Sequence, residues 1–183
     1  TTIISLCTGN AARSVMAGAV LLAADPGLEV ITAGTHVIDG QPMSWRTREA
    51  LADRGLTADH HRSAQLRPGD LERADLVLAM ATEHVRYVRR THPEAADRTA
   101  TLKRLVRDLP AGPEPLRERL AALDLARIEP DEDEAVADPA GGDEQVYVDC
   151  AREIHRLLTD LLVNRARSYI FTTASTPADA AAA

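Results

Sequence analysis

A chain of 183 residues, 45% hydrophobic and 27% charged, has the size and balance of one globular domain with a proper core. Its formal net charge of -7 and isoelectric point near 5.3 argue against nucleic acid or an anionic membrane as a partner. Two cysteines, Cys7 and Cys150, make neither a metal-ligand spacing nor a disulfide framework, no run is apolar enough to span a membrane, and the start lacks a signal-peptide pattern. A reducing cytoplasm is therefore the expected location, although a first residue other than Met leaves a trimmed start open.

The chain opens on an apolar run, Ile3 to Leu6, predicted as a strand that ends at Cys7. The loop Thr8-Gly9-Asn10-Ala11-Ala12 follows, and Arg13-Ser14 leads into the helical pattern Val15, Met16, Ala19, Val20, Leu22. A strand–loop–helix of this kind aims backbone N–H groups and the positive helix end at one point, which makes an anion site. Cys7 stands at that point, where the helix start and the Arg13 guanidinium both favour a thiolate nucleophile over an inert thiol. Arg13 presents a planar fork suited to two phosphate oxygens, and Ser14 offers a hydroxyl to the sulfur.

Leu28 to Ala33 is predicted as a second strand closed by Gly34, and Pro42 to Arg54 as a helix stopped by Gly55. A short helix starts at Pro68, and Asp75 to Met80 reads as a third strand buried on both faces. Thr82 is the expected cap of a helix running to about Arg90, and Thr99 to Leu102 a short fourth strand before a helical turn. Residues 109–137 break the rhythm with four prolines, an amphipathic piece (Leu116 to Leu125) and an acidic run from Glu129 to Glu134. They read as a solvated surface excursion, or else as a flap or partner-docking element near the site, because they lead directly into Asp138. Asp143 caps a final helix with the apolar stripe Val146, Cys150, Ile154, Leu157, Leu158, Leu161, Leu162, on which Cys150 is a packed core thiol. The domain is expected over 1–165, with 166–183 a flexible tail. Strands alternating with helices imply an α/β fold, a parallel sheet with helices on both faces and ligands at the carboxyl ends of the strands.

The segment Cys7 to Ser14 resembles the phosphate-binding loop of the low-molecular-weight protein tyrosine phosphatases. Thr32-Ala33-Gly34-Thr35, Gly55 with His61 and Leu66, Leu76 to Met80 with His84, and Asp138-Pro139 resemble further landmarks of that family. The resemblance implies a four-stranded sheet of order 2-1-3-4 in a three-layer, phosphatase-I-like fold. It implies Cys7 as nucleophile, Arg13 and the loop 8–12 as phosphate binders, Ser14 supporting the sulfur, and Asp138 as general acid. No metal or cofactor is needed, because the loop supplies the positive field itself. Asn10 would hold the loop through a hydroxyl and a histidine, for which Thr32 and His61 are the matching positions.

The implied substrate is a phosphorylated protein or a small aryl phosphate, with oligomeric state open. Phosphotyrosine is the leading reading, phosphoarginine the next, and an arsenate reductase using an external thiol a third. Ala11 stands where threonine marks the arginine phosphatases, and Ala140 where an aromatic usually forms a pocket wall. Trp45, His36 and Val37 are the remaining candidates to line the mouth. Ala12 replaces the second cysteine with which many members rescue an oxidised nucleophile. Strong peroxide treatment is therefore expected to inactivate the protein beyond the sulfenic stage; assay after added thiol reductant should show no full recovery.

Overall fold

The structure, a computed structural model, describes residues 1–163; the tail expected from residue 166 lies outside them. Four strands form one parallel sheet: β1 (Thr2–Cys7), β2 (Glu29–Gly34), β3 (Leu76–Ala79) and β4 (Thr99–Thr101), in the order β2-β1-β3-β4. This is the order the resemblance implies. β1 and β3 are buried along their whole length, since helices cover both faces. Alternation along β1 sends Ile3 to one apolar cluster and Ile4 and Leu6 to the other. Leu76 and Leu78 on β3 join the first, and Val77 the second.

Among the described residues seven α-helices follow or intervene: α1 (Arg13–Ala24), α2 (Trp45–Ala52), α3 (Pro68–Arg73), α4 (Thr82–Thr91), α5 (Leu102–Asp108), α6 (Leu116–Ala121) and α7 (Glu144–Val163). α2 starts later than Pro42 because Ser44 is its cap, accepting from the Thr47 amide at 3.1 Å. It ends as expected ahead of Gly55, whose φ of 68° lets the Leu56 amide return to the Leu51 carbonyl at 3.0 Å. Thr82 does not cap α4: it is the first helical residue, and its hydroxyl donates to Glu132 at 3.2 Å.

Asp143 does cap α7, accepting from the Val146 amide at 3.1 Å. The buried stripe begins at Tyr147, however, and Val146 is 43% exposed. At ~100° per residue, Tyr147 lies about 20° from the line of Ile154, and Val146 about 80°. Cys150 is buried on this stripe, and burial pushes its thiol up to about 12.

Segment 109–137 keeps most of its residues exposed, Glu129, Asp131 and Glu132 among them, but is anchored to the body at a few buried points. Leu120 and Leu125 are buried in the main core. Arg86 pairs with Glu129 at 2.9 Å and with Glu132 at 2.8 Å, while Glu134 is itself buried beside Arg104. Arginines on α4 and α5 face this acidic run and hold it against the sheet's edge.

Ile154 is fully buried, so Ile154→Ala is expected to cost about 2–5 kcal/mol in urea unfolding. Val146→Ser, by contrast, is expected to stay within about 0.5 kcal/mol.

Candidate active site

β1 delivers Cys7 to the carboxyl edge of the sheet, opposite Gly34 of β2. The next turn of chain passes so close to Gly34 that an added Cβ would lie 2.5 Å from the Thr8 carbonyl and 3.1 Å from the Asn10 amide. Only glycine allows that approach. Asn10 is fully buried with φ 51°, a left-handed conformation that asparagine tolerates better than most residues.

Three bonds hold Asn10 there. Its Nδ2 donates to Ser14 Oγ at 2.9 Å, its Oδ1 accepts from the Ala64 amide at 2.8 Å, and its carbonyl faces His61 Nε2 at 2.7 Å. The hydroxyl on the Asn10 side chain is therefore that of Ser14, and His61 grips the backbone. A carbonyl only accepts, so Nε2 of His61 carries the proton. Burial pushes the His61 pKa down and keeps the ring neutral, which leaves Nδ1 to accept from the Thr32 hydroxyl at 3.4 Å. Thr32 thus supports Asn10 through the ring, and His61 rather than His60 is the residue on the loop. Thr47, whose role the sequence reading missed, donates to the Ala11 carbonyl at 2.8 Å.

At the start of α1 the capping position is Ala12, with no side-chain cap bond, and the first turn holds no acidic residue. The positive helix end is therefore not neutralised locally. Ser14 Oγ lies 3.1 Å from Cys7 Sγ. Arg13, only 3% exposed, donates through Nη1 to the Val136 carbonyl at 3.2 Å and through Nη2 to Thr8 Oγ1 at 3.4 Å. Nη2 also pairs with Asp138 Oδ2 at 2.6 Å, and the other carboxyl oxygen accepts from the Ala140 amide at 3.1 Å.

These groups surround a cavity of about 110 Å³ lined by Cys7, Gly9, Ala11, Ala12, Arg13, Ser44, Asp138, Ala140 and Tyr147. At about 30 Å³ per water, this accommodates a tetrahedral oxyanion and the first atoms attached to it. Trp45, His36 and Val37 do not line it. Ring surface comes instead from Tyr147, whose place on the buried α7 stripe follows from helix phase but whose contact with the cavity does not. Ser44, which no motif in the sequence singles out, caps α2 and lines the cavity.

Thr8 turns away from the cavity toward His84 Nε2, 3.0 Å from its hydroxyl. His84 is fully buried, and burial together with the charge of Arg13 pushes its pKa down to about 3. Its 3.7 Å approach to Glu83 is consequently no ion pair at neutral pH. The folded pKa lies below the unfolded 6.5, so the unfolded chain binds the extra proton in between. His84 therefore supports the fold fully above pH 6.5, and its contribution falls by up to about 1.4 kcal/mol per pH unit toward pH 3. His84→Asn should flatten that acid limb in urea titrations at pH 7, 6 and 5.

The family described as low molecular weight phosphotyrosine protein phosphatase matches residues 2–114, which include the loop but not Asp138. A protein-arginine-phosphatase of Geobacillus stearothermophilus is 33% identical over 160 residues, 87% of this chain and 92% of that protein. The solved YwlE arginine phosphatase of the same organism superposes with a TM-score of 0.73 at 31% identity, covering 91% of this chain and 93% of its own. A low molecular weight protein tyrosine phosphatase from T. tengcongensis gives a TM-score of 0.72 at 31% identity, covering 90% and 99%. The extent of these matches, on a fold with the same sheet order, shows that the chain belongs to the low molecular weight protein tyrosine phosphatase family.

Proposed function

We propose that this phosphatase acts on phosphotyrosine in proteins through a cysteinyl-phosphate intermediate. The observation that supports this most directly is the convergence of Cys7, Arg13 and Asp138 on one small cavity. With Asn10 already donating to its oxygen, the Ser14 hydroxyl turns its own proton to a Cys7 thiolate. The thiolate attacks phosphorus in line, forming the S–P bond as the bond to the phenolic oxygen breaks. The loop amides and the Arg13 fork hold the three equatorial oxygens while charge redistributes.

A phosphate dianion brings two charges to the guanidinium where Asp138 brings one, so it takes over Nη2 and frees the carboxyl. The freed carboxylate takes up a proton from solvent beside the phosphate's negative charge, and Asp138 passes that proton to the leaving oxygen. As a carboxylate it next takes a proton from water, whose oxygen attacks phosphorus and breaks the S–P bond. Thiolate and inorganic phosphate are the products. Tyr147 supplies a ring surface for an aromatic leaving group where Ala140 offers none.

Phosphoarginine is the second reading. The near full-length match to a protein-arginine-phosphatase favours it, whereas Ala11 in place of threonine favours tyrosine. Initial rates on phosphotyrosine and phosphoarginine peptides, with Cys7→Ser as blank, decide between them. We expect faster phosphate release from phosphotyrosine and none above background from Cys7→Ser. Equal activity of Cys7→Ser and the parent protein would defeat the scheme.

A further inference from the structure

Asp138 is half-exposed, and within its own loop its carboxyl is held by the single Ala140 amide. What places that loop lies outside the cavity, four residues upstream. Glu134 is 2% exposed, a position an acidic side chain takes only when its charge is matched. Its Oε2 accepts from Arg104 Nε at 3.1 Å and from the Thr101 hydroxyl at 2.8 Å. Its Oε1 faces Arg104 Nη2 at 2.5 Å and Arg107 Nη2 at 2.9 Å. This clasp ties residue 134 to the end of β4 and to α5, elements that form no part of the cavity wall.

From Glu134 every second residue is fastened. Val136, itself buried, donates its amide to the Met80 carbonyl at 2.8 Å, extending the line of β3. The Val136 carbonyl accepts from Arg13 Nη1. Asp138 meets the other terminal nitrogen of the same guanidinium. The two Arg13 bonds thus share one short tether whose fixed end is the Glu134 clasp. A buried ion pair adds little net stability compared with apolar packing, but it fixes position sharply, because either charge left alone is costly. The exposed pairs of Arg86 with Glu129 and Glu132 lack that force, since water and salt screen them.

We propose that Glu134, clasped by Arg104 and Arg107, is a positioning residue that sets the Asp138 carboxyl and the Arg13 guanidinium in register over Cys7. This rests on the role for Asp138 given above. When the clasp loosens, Val136 shifts and the carboxyl loses its aim at the leaving oxygen. The loss is greatest for substrates whose leaving oxygen most needs a proton.

The test is kcat/KM on phenyl phosphate and on p-nitrophenyl phosphate, taken as a ratio, for the parent protein, Asp138→Ala, Glu134→Gln and Arg107→Ala. Glu134→Gln is expected to lower the phenyl phosphate value about 10- to 100-fold and the p-nitrophenyl phosphate value far less. Arg107→Ala changes a half-exposed partner, keeps the buried pair, and shifts the ratio the same way by less. Combined with Asp138→Ala, Glu134→Gln moves the ratio no further. If Glu134→Gln does not fold, Arg107→Ala decides. A ratio shifted by Asp138→Ala but not by the clasp variants overturns the positioning role alone. Parallel losses on both substrates in the clasp variants overturn it too, since merely structural damage gives that result. A ratio unmoved by Asp138→Ala overturns the acid role and this inference with it.

Discussion

The Arg13 guanidinium is buried at the start of α1, and a charge in that position has to be answered from several directions at once. It is met by the Thr8 hydroxyl five residues before it and by the Val136 carbonyl and Asp138 carboxylate from the far end of the domain. That one planar group therefore joins the first loop of the chain to the segment that precedes its last helix. A lysine could carry the charge but not the geometry, because its single ammonium cannot address opposite edges of the cavity with a fixed fork. Where the fork lies decides where a phosphate can sit, and the phosphate's place decides which direction of attack is open to Cys7.

Around this contact the domain works as two supports. Behind the loop, Thr32, His61 and the left-handed Asn10 hold the backbone in a curve that the chain would not keep unaided. The Asn10 amide and the Ser14 hydroxyl carry that support forward to the sulfur. On the other side, the buried pair of Glu134 with Arg104 ties the segment ahead of Asp138 to α5. Membership of the phosphatase family agrees with both supports, because each serves a phosphate-sized cavity with a thiol at its base.

The α7 stripe was anchored on Val146 because valine is apolar, yet the phase set by Ile154 and Cys150 points to Tyr147. Thr82 was read as a cap because threonine caps often, yet a distant glutamate competes for its hydroxyl. The acidic run is solvated as expected except at Glu134, which is buried because Arg104 and Arg107 fold against it. At Thr82 and Glu134 local preference lost to a partner that becomes adjacent only when the chain has folded.

Amino-acid order alone determined the alternating strands and helices and the Cys7 to Ser14 loop, because these follow from hydrophobic period and backbone sterics within a few residues. Tertiary structure alone decided that Asp138 faces Arg13, that Tyr147 rather than Trp45 walls the cavity, and that a buried glutamate tethers the acid loop. Those contacts join residues far apart along the chain, and burial makes them specific by removing the water that would otherwise satisfy each group separately.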